Sequence, residues 1–256
     1  MMKQTYARAL VTGASSGFGE HFARQLSARG TALVLVARRG DLLEKLAAEL
    51  GTEIEILAAD LTEPAGLALV EDRLRDPAKP VDLLVNNAGV GTTGAFADLP
   101  VEGETGKVAL NVMALMRLCH AALPRMTEAR HGGILNVSSL SSATPAPRAA
   151  TYGATKAFVT SLSESLNRES RKHGVHVTAL LPGPAPTELT EAGFVNLLPR
   201  MFWQAPEAIV ARGLAAVAAG KPVCIPSRVL SLATVTGSRM PRSFQYLVGD
   251  RLFGSK

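Results

Sequence analysis

The regular alternation of short apolar runs with amphipathic helical patterns is the feature that most constrains the fold. The first six of seven runs are each followed by a helical pattern, and the runs cover residues 8–12, 32–37, 54–57, 81–86, 132–139, 176–182 and 222–226. Strands without polar alternation are covered on both faces, which is typical of a parallel sheet between two helix layers. Right-handed crossovers then predict an α/β, doubly wound, three-layer sandwich with a seven-stranded parallel sheet.

The domain organisation follows from length and composition. The chain has 256 residues and contains no Gly/Ser-rich linker, no Pro-rich linker and no internal repeat, so a single domain over residues 1–256 is predicted. Residues 184–204 are the longest irregular stretch, and because such loops are usually functional we expect a substrate lid there. Residues 227–256 are expected to form a C-terminal extension packed on the body.

The predicted lid is rich in large apolar side chains, which favours an aliphatic, acyl or ring ketone over a sugar as the substrate. These residues are Phe194, Val195, Leu197, Leu198, Met201, Phe202 and Trp203. The alternative, that the same side chains pack on the body of the protein, stays open.

Composition excludes several classes of protein. Net charge is +5, but there is no dense Lys/Arg stripe with interleaved aromatic residues, so no nucleic-acid partner is expected. No apolar run approaches the ~18 residues of a membrane helix, and the first residues lack the apolar region of a signal peptide, so we expect a cytoplasmic protein without a membrane span. The histidines and the two cysteines, Cys119 and Cys224, have no metal-ligand spacing, so no metal site is expected.

A glycine-rich turn follows the first predicted strand. The stretch TGASSGFG places Gly13, Gly17 and Gly19 between a strand and a helix. Glycines at this point let the backbone turn tightly and approach a pyrophosphate, which binds at the helix N-terminus. We therefore expect a dinucleotide site. The residues between the glycines that belong to this predicted site are Ser15, Ser16 and Phe18.

The same stretch also contains G-x-S-x-G, the pattern around the nucleophile of serine hydrolases, with Ser15 as that nucleophile. In such enzymes the serine lies well into the sheet, whereas Ser15 follows the first strand. Three glycines within seven residues also exceed what such a turn requires. A serine hydrolase is therefore the less favoured alternative.

The end of the second strand indicates which dinucleotide binds. An acid at this place accepts the adenosine ribose hydroxyl of NAD(H), whereas a basic residue accommodates the 2′-phosphate of NADP(H). Ala37 takes the place of the acid, and Arg38 and Arg39 follow. Asp41 is the nearest carboxylate and is expected to cap the next helix. The pattern predicts NADP(H) as the cofactor, with two merely solvent-exposed arginines as the alternative.

Tyr152 and Lys156 lie four residues apart in a helical pattern, so they share one helix face. A free phenol has a pKa near 10 and is a poor base at neutral pH. An ammonium group at ~5 Å, in an effective dielectric of ~20, stabilises the phenolate by about 3 kcal/mol, which predicts a pKa roughly two units lower. The pair is therefore a candidate proton donor and acceptor.

Seven ordered motifs resemble those of the short-chain dehydrogenases/reductases, and together they cover roughly residues 7–190. The matching stretches are TGASSGFG (12–19), DLT (60–62), NNAG (86–89), LNV with Asn111, NVSS with Ser139, YGATK with Tyr152 and Lys156, and PGPAPT (182–187). The resemblance implies a Rossmann-type fold with seven parallel strands, a nicotinamide cofactor, and redox chemistry between carbonyls and alcohols.

The resemblance also implies roles for individual residues. It implies a catalytic tetrad of Asn111, Ser139, Tyr152 and Lys156, in which Tyr152 is the general acid/base. It implies that the cofactor is held, beyond the glycine-rich turn and the arginines, by Asp60, Leu61, Asn87, Ala88, Gly89, Tyr152, Lys156, Pro182, Gly183 and Thr187. Ser138 is the alternative to Ser139, and the family spacing of twelve residues between serine and tyrosine selects Ser139.

The activity implied by the resemblance is NADPH-dependent reduction of a ketone or aldehyde, or the reverse oxidation of an alcohol, on a hydrophobic small-molecule or acyl substrate. A non-catalytic NADP-binding regulatory protein is the alternative of another class, and the complete tetrad argues against it. The family often pairs its two long helices, here 102–126 and 152–172, between subunits. A homodimer or homotetramer is therefore expected.

Overall fold

A computed structural model of the protein describes residues 5–187, 203–227 and 229–232. The strands are β1 (Arg8–Thr12), β2 (Ala32–Ala37), β3 (Ile54–Ala58), β4 (Leu83–Asn86), β5 (Gly132–Val137), β6 (Val175–Leu180) and β7 (Val223–Cys224). The helices are α1 (Gly17–Ser27), α2 (Gly40–Glu49), α3 (Pro64–Arg75), α4 (Val101–Val108), α5 (Leu115–Glu128), α6 (Ala150–Ser170) and α7 (Pro206–Ala218). All seven strands are parallel, in the order β3-β2-β1-β4-β5-β6-β7. The predicted doubly wound α/β fold is confirmed.

The core fills the space on both faces of the sheet, as the continuous apolar strands predicted. Neighbouring residues of one strand point to opposite faces, so Leu10 belongs to one buried cluster and Val11 to the other. The same division separates Leu84 from Val85. All four side chains are fully buried. These strands have no solvent-facing side and therefore need no polar alternation.

The direction of winding reverses between β1 and β4. Strand β1 lies between β2 and β4, and Val11 is opposite Val85 in the register. Since successive connections lead away from this point in opposite directions, the loops after β1 and β4 separate and a crevice opens at the carboxyl ends of the two strands. The glycine-rich turn follows β1 and residues 87–91 follow β4, so both border the crevice.

The long helix predicted at 102–126 is continuous from α4 to α5, but its middle, Ala109–Ala114, is a π-helix. Among the described residues, Val101–Glu128 is also the one helix with the length and apolar composition of a membrane span. Its Leu118, Cys119 and Met126 are buried in the cluster that covers one face of the sheet. This is the position of a core helix.

The predicted cap of α2 is wrong. The N-cap residue of this helix is Arg39, and no side chain makes a capping hydrogen bond. Asp41 lies inside the first turn instead, where a carboxylate interacts favourably with the positive end of the helix dipole. The end of β2 itself carries Ala37, so no acid occupies that position.

Much of the predicted lid and most of the C-terminal extension lie outside the described residues, at 188–202, 228 and 233–256. Of the seven apolar lid residues, the described part of the chain includes Trp203. The two ends of the lid segment are joined, because the Gln204 amide donates to the Pro184 carbonyl at 3.1 Å. The described residues on either side of 188–202 therefore approach each other at Pro184 and Gln204.

Candidate active site

A cleft of about 650 Å³ occupies the crevice at the carboxyl ends of the strands. It extends from the glycine-rich turn, past the ends of β2 and β3, to the buried end of α6. All the residues predicted to bind cofactor line it, with the exception of Gly19 and Gly183. The structure thus brings together residues from five separate βα connections and from α6, as expected for a ligand site at a switch point.

The glycine-rich turn has a geometry that only glycine fits. Gly13 and Gly17 have φ values of +64° and +54°, a region that side chains other than that of glycine rarely adopt. A Cβ on Gly19 would lie 2.0 Å from the Gly13 carbonyl oxygen, which accounts for this glycine although it is outside the cleft lining. Ser16 precedes α1 and makes no side-chain cap. The helix N-terminus can therefore receive an anionic group, and the turn fits a dinucleotide pyrophosphate.

Thr12, at the last position of β1, connects the two sides of the crevice and was not predicted from the sequence. Its hydroxyl accepts the backbone amides of Asn87 and Ala88, each at 3.0 Å. In return, the side-chain amide of Asn87 donates to the carbonyls of Thr12 at 2.9 Å and Gly13 at 3.2 Å. A hydroxyl residue at a buried strand end beside the glycine-rich turn is the signal that could have identified it.

The two arginines after β2 behave differently. Arg39 lies over the glycine-rich turn and donates to the hydroxyls of Ser15 at 3.1 Å and Ser16 at 3.0 Å. The side chain of Arg38 is 74% exposed, and its guanidinium lies 3.9 Å from the Asp60 carboxylate. Because a guanidinium cannot act as a general base, Ser15 has no activating partner in Arg39, which argues against the hydrolase alternative.

Asp60 is held in place by the residues that follow it. Its Oδ1 accepts the hydroxyl of Thr62 at 2.7 Å and the amide of the same residue at 2.9 Å. The hydrogen bond from the Thr62 hydroxyl is the main reason that the pKa of Asp60 lies below its usual value. The adjacent Leu61 is buried. This carboxylate is thus ionised at neutral pH and lies at the end of the cleft that borders β2 and β3.

Tyr152 and Lys156 line the inner end of the cleft together with Ser138, and Ser139 lies next to the Tyr152 phenol. Tyr152 is 5% exposed and its phenol forms a hydrogen bond with the Ser139 hydroxyl. The Lys156 Nζ atom lies 5.6 Å from the centroid of the tyrosine ring and donates to the Val137 carbonyl at 2.8 Å. Ser138 has a different partner, because its hydroxyl donates to the Lys156 carbonyl at 2.8 Å. The geometry therefore pairs Ser139 with the phenol, while Ser138 anchors α6.

Burial controls the protonation of Tyr152 and Lys156. It raises the pKa of Tyr152 to about 12, and the hydrogen bond from Ser139 opposes that rise only in part. Burial also lowers the pKa of Lys156 to about 8. The prediction that the ammonium of Lys156 lowers the pKa of Tyr152 by about two units is therefore wrong for the protein alone. The loss of hydration on burial raises this pKa by more than the attraction of the ammonium lowers it. The phenol is neutral at pH 7.

Asn111 lies in the π-helix, and its side chain joins three elements. Its Oδ1 accepts the Val90 amide at 3.0 Å, and its Nδ2 donates to the Val90 carbonyl at 2.9 Å and to the Thr155 hydroxyl at 3.1 Å. A Cβ on Gly89 would lie 3.2 Å from Asn111 Oδ1 and 3.4 Å from Lys156 Nζ. Asn111 and Lys156 thus converge around Gly89, and a π-helix at such a site is a common way to aim a functional side chain.

Pro182, Gly183 and Thr187 follow β6 at the same end of the cleft. Pro182 and Thr187 line it, and the Pro182 carbonyl accepts the amide of Leu140 at 3.3 Å. Thr187 also lies against the glycine-rich turn, because a Cβ on Gly17 would be 3.6 Å from its Cβ. No group of His, Cys, Asp and Glu side chains within the described ranges could hold a metal ion.

The chain matches the short chain dehydrogenase family over residues 7–195. It belongs to the short-chain dehydrogenases/reductases. Its curated relatives in this family include serine 3-dehydrogenase of Rhizobium radiobacter, which is 35% identical over 182 residues, 71% of this chain and 73% of that protein. The chain is therefore an oxidoreductase, and the family supports a nicotinamide cofactor.

Two solved dehydrogenases resemble this chain over more than nine tenths of its length. A short-chain dehydrogenase from Sphingobium yanoikuyae in complex with NADPH is 38% identical, with a TM-score of 0.82 and coverage of 95% of each chain. A bulky-bulky ketone specific alcohol dehydrogenase from Comamonas testosteroni is 33% identical, with a TM-score of 0.78 and coverage of 93% of this chain and 96% of that one.

The depressed pKa of Lys156 makes the stability of this short-chain dehydrogenase depend on pH. Between pH 8 and the usual lysine pKa of 10.5, the unfolded chain binds more protons than the folded one, so the free energy of unfolding should rise with pH. Measured by urea unfolding without cofactor, the difference between the wild type and Lys156→Met should increase by about 2 kcal/mol from pH 8 to 10. A flat or falling difference for Lys156→Met would contradict this assignment.

Proposed function

We propose that this oxidoreductase reduces a ketone or aldehyde with NADPH, or oxidises the corresponding alcohol with NADP⁺, on a hydrophobic small-molecule or acyl substrate. The observation that carries the proposal is the buried phenol of Tyr152, which is hydrogen-bonded to Ser139 and lies one helical turn from Lys156 at the inner end of the cleft. When bound, the nicotinamide supplies the hydride in reduction and accepts it in oxidation. The residues of this chain donate the proton in reduction and accept it in oxidation.

The proposed roles follow from protonation and hydrogen bonding. The Ser139 hydroxyl donates to the carbonyl oxygen of the substrate and holds it beside the phenol. As the carbonyl carbon gains hydride, the neutral Tyr152 phenol gives its proton to the developing alkoxide, and the alcohol forms. The phenolate left behind is stabilised by the Lys156 ammonium and recovers its proton from solvent. In oxidation, the same groups work in the opposite direction.

Replacing Tyr152 with Phe tests the proton-transfer role. The ring and its packing remain, but the proton donor is lost, so kcat for ketone reduction should fall by about 10²- to 10⁴-fold while the Kd for NADPH stays nearly unchanged. Cofactor absorbance across a panel of hydrophobic ketones measures turnover, and fluorescence titration measures NADPH binding.

Ser139→Ala and Ser138→Ala provide a matched pair of controls for that experiment. Ser139→Ala should reduce kcat, whereas Ser138→Ala, which removes an anchor of α6, should mainly lower the thermal midpoint. A Tyr152→Phe variant with near-normal turnover would refute the acid role. Tight NADPH binding by the wild type without turnover of any ketone would favour the regulatory alternative.

A preference for NADP(H) over NAD(H) is supported by the charges at the end of β2. Ala37 provides no carboxylate for a ribose hydroxyl, and the guanidinium groups of Arg38 and Arg39 lie on the cleft lining. Guanidinium is suited to a phosphate monoester because it donates two parallel hydrogen bonds. The similar Sphingobium yanoikuyae enzyme was solved with NADPH, which agrees with the proposal.

Arg38→Ala should weaken NADPH binding by about 10- to 100-fold and change NADH binding by less than about threefold, because the lost group would bind the 2′-phosphate, which NADH lacks. Isothermal titration with each cofactor measures both constants. Lys45→Ala, on the exposed surface of α2, removes the same charge and should leave both unchanged. Equal weakening of both cofactors by Arg38→Ala would contradict the preference.

An apolar substrate is supported by two leucines beside the predicted nicotinamide end. A Cβ on Gly183 would lie 2.7 Å from the Cδ1 of Leu230 and 3.6 Å from the Cδ1 of Leu140. Leu140 directly follows Ser139, and Leu230 is presented by the first turn after Ser227, whose hydroxyl accepts the Leu230 amide at 3.2 Å. We infer that these leucines form an apolar wall next to the reacting carbonyl.

Shortening one leucine of this wall should weaken substrate binding and leave cofactor binding unchanged. Leu230→Ala should raise KM for a bulky aryl ketone by about tenfold, since a buried leucine side chain contributes on the order of 1.5 kcal/mol, and the Kd for NADPH should not change. Leu232→Ala, at a position 71% exposed on the same turn, is the control. An unchanged KM for Leu230→Ala would place the substrate elsewhere.

We further infer a homodimer or homotetramer in the cytoplasm. Apolar side chains are exposed on the helices that the family pairs between subunits, including Met113 in the π-helix and Phe158 on α6. Burying them between copies would remove apolar surface from water. Sedimentation velocity of the purified protein tests this, and a single monomeric species would overturn it.

A further inference from the structure

We propose that the buried ion pair of Glu104 and Lys107 on α4 positions Tyr152 by holding Thr151 at the start of α6. This inference rests on the proposed function, in which Tyr152 is the proton donor. Glu104 and Lys107 lie outside the predicted tetrad, and the mechanism above does not use either of them. They are one helical turn apart and form a direct hydrogen-bonded ion pair.

The burial of the pair needs an explanation other than stability. Glu104 is 8% exposed and Lys107 is 2% exposed. Taking two charges out of water costs several kcal/mol per ion, and well-packed apolar residues in place of such a pair are often as stable or more stable. A buried ion pair is therefore better explained by a specific contact that one of its members makes.

That contact is to the side chain of Thr151 on α6, the helix against which α4 packs. The pKa of Glu104 lies below its usual value, mainly because of the hydrogen bond from Lys107 and next because of that from Thr151. The carboxylate therefore stays ionised and accepts from both side chains. The lysine neutralises the buried charge and fixes the carboxylate, and the carboxylate in turn fixes the threonine. Thr151 directly precedes Tyr152 in the chain.

The start of α6 needs such a support. Its N-cap residue is Ala149, and no side chain makes a capping hydrogen bond there. The catalytic phenol is thus on the first turn of a helix that lacks the usual anchor. A carboxylate beside this end also interacts favourably with the positive end of the helix dipole. Glu104 thus contacts this end of α6 through the Thr151 side chain, and not through a backbone amide as a capping residue does.

A second contact, from the π-helix that continues α4, reaches α6 on the other side of Tyr152. The Thr155 hydroxyl accepts from Asn111 at 3.1 Å and donates to the Tyr152 carbonyl at 2.8 Å. The helix around the tyrosine is therefore held at two points. One is Thr151, one residue before Tyr152, and the other is Thr155, three residues after it. The two contacts together fix both the position and the rotation of the first turn of α6.

Two double variants separate positioning from simple stability. Glu104→Gln with Lys107→Met removes both charges but keeps an amide oxygen that accepts from Thr151. Glu104→Leu with Lys107→Met removes both charges and the acceptor. We expect the Gln/Met variant to keep kcat within about threefold, and the Leu/Met variant to lose about 10- to 100-fold in kcat with an unchanged Kd for NADPH. Thr151→Val should reproduce that loss alone and add nothing to the Leu/Met variant.

A readout that is independent of turnover accompanies the kinetics. In cofactor-free protein labelled at tyrosine ¹³Cζ, the Tyr152 signal should move in the Leu/Met and Thr151→Val variants and stay in place in the Gln/Met variant. Thermal midpoints establish that each variant is folded. Equal kcat values and equal Tyr152 signals in the two double variants would overturn the proposal. If the wild type turned over no carbonyl compound, the proposed function would fail while the ¹³C signals still tested the positioning.

Discussion

The burial of two ionisable groups in one pocket is the constraint on which the site depends. Tyr152 and Lys156 are both removed from water, and this raises the pKa of the phenol and lowers that of the amine. The two shifts bring the groups to complementary states at neutral pH, with a phenol that keeps its proton and an ammonium ready to stabilise the phenolate that forms. The loss of hydration on burial, more than the attraction between the two groups, determines their protonation states.

The parallel sheet makes this burial possible. Strands β1 and β4 meet at the reversal of winding, and the crevice there opens over their carboxyl ends. Thr12 and Asn87 lock the two loops across it, while the Val137 carbonyl at the end of β5 accepts the ammonium of Lys156. The charged and polar groups are therefore held by strand ends and backbone atoms, which move little, and not by flexible surface loops.

Sequence reasoning succeeded where local pattern decides structure. Continuous apolar strands and the glycines of the first turn predicted the sheet and the crevice, because burial and positive φ act locally. It failed where the answer depends on distant contacts. The π-helix around Asn111 has no local sequence signal, and the partner of its Asn111 side chain, Val90, is 21 residues away in the chain. The ion pair of Glu104 and Lys107 resembles solvated helix charges in the sequence, and the pairwise Coulomb energy omitted the desolvation of Tyr152.

The protonation of Tyr152 in the cofactor-free protein is the most direct test of this account. The ¹³Cζ signal of labelled tyrosine, assigned by its loss in a Phe variant and followed over a pH titration, reports the phenol alone. The account predicts that the signal stays that of a neutral phenol to pH 10 and above, with a pKa of about 12. A phenol that loses its proton below pH 8 would show that the neighbouring cation, and not burial, governs the site, and would contradict the account.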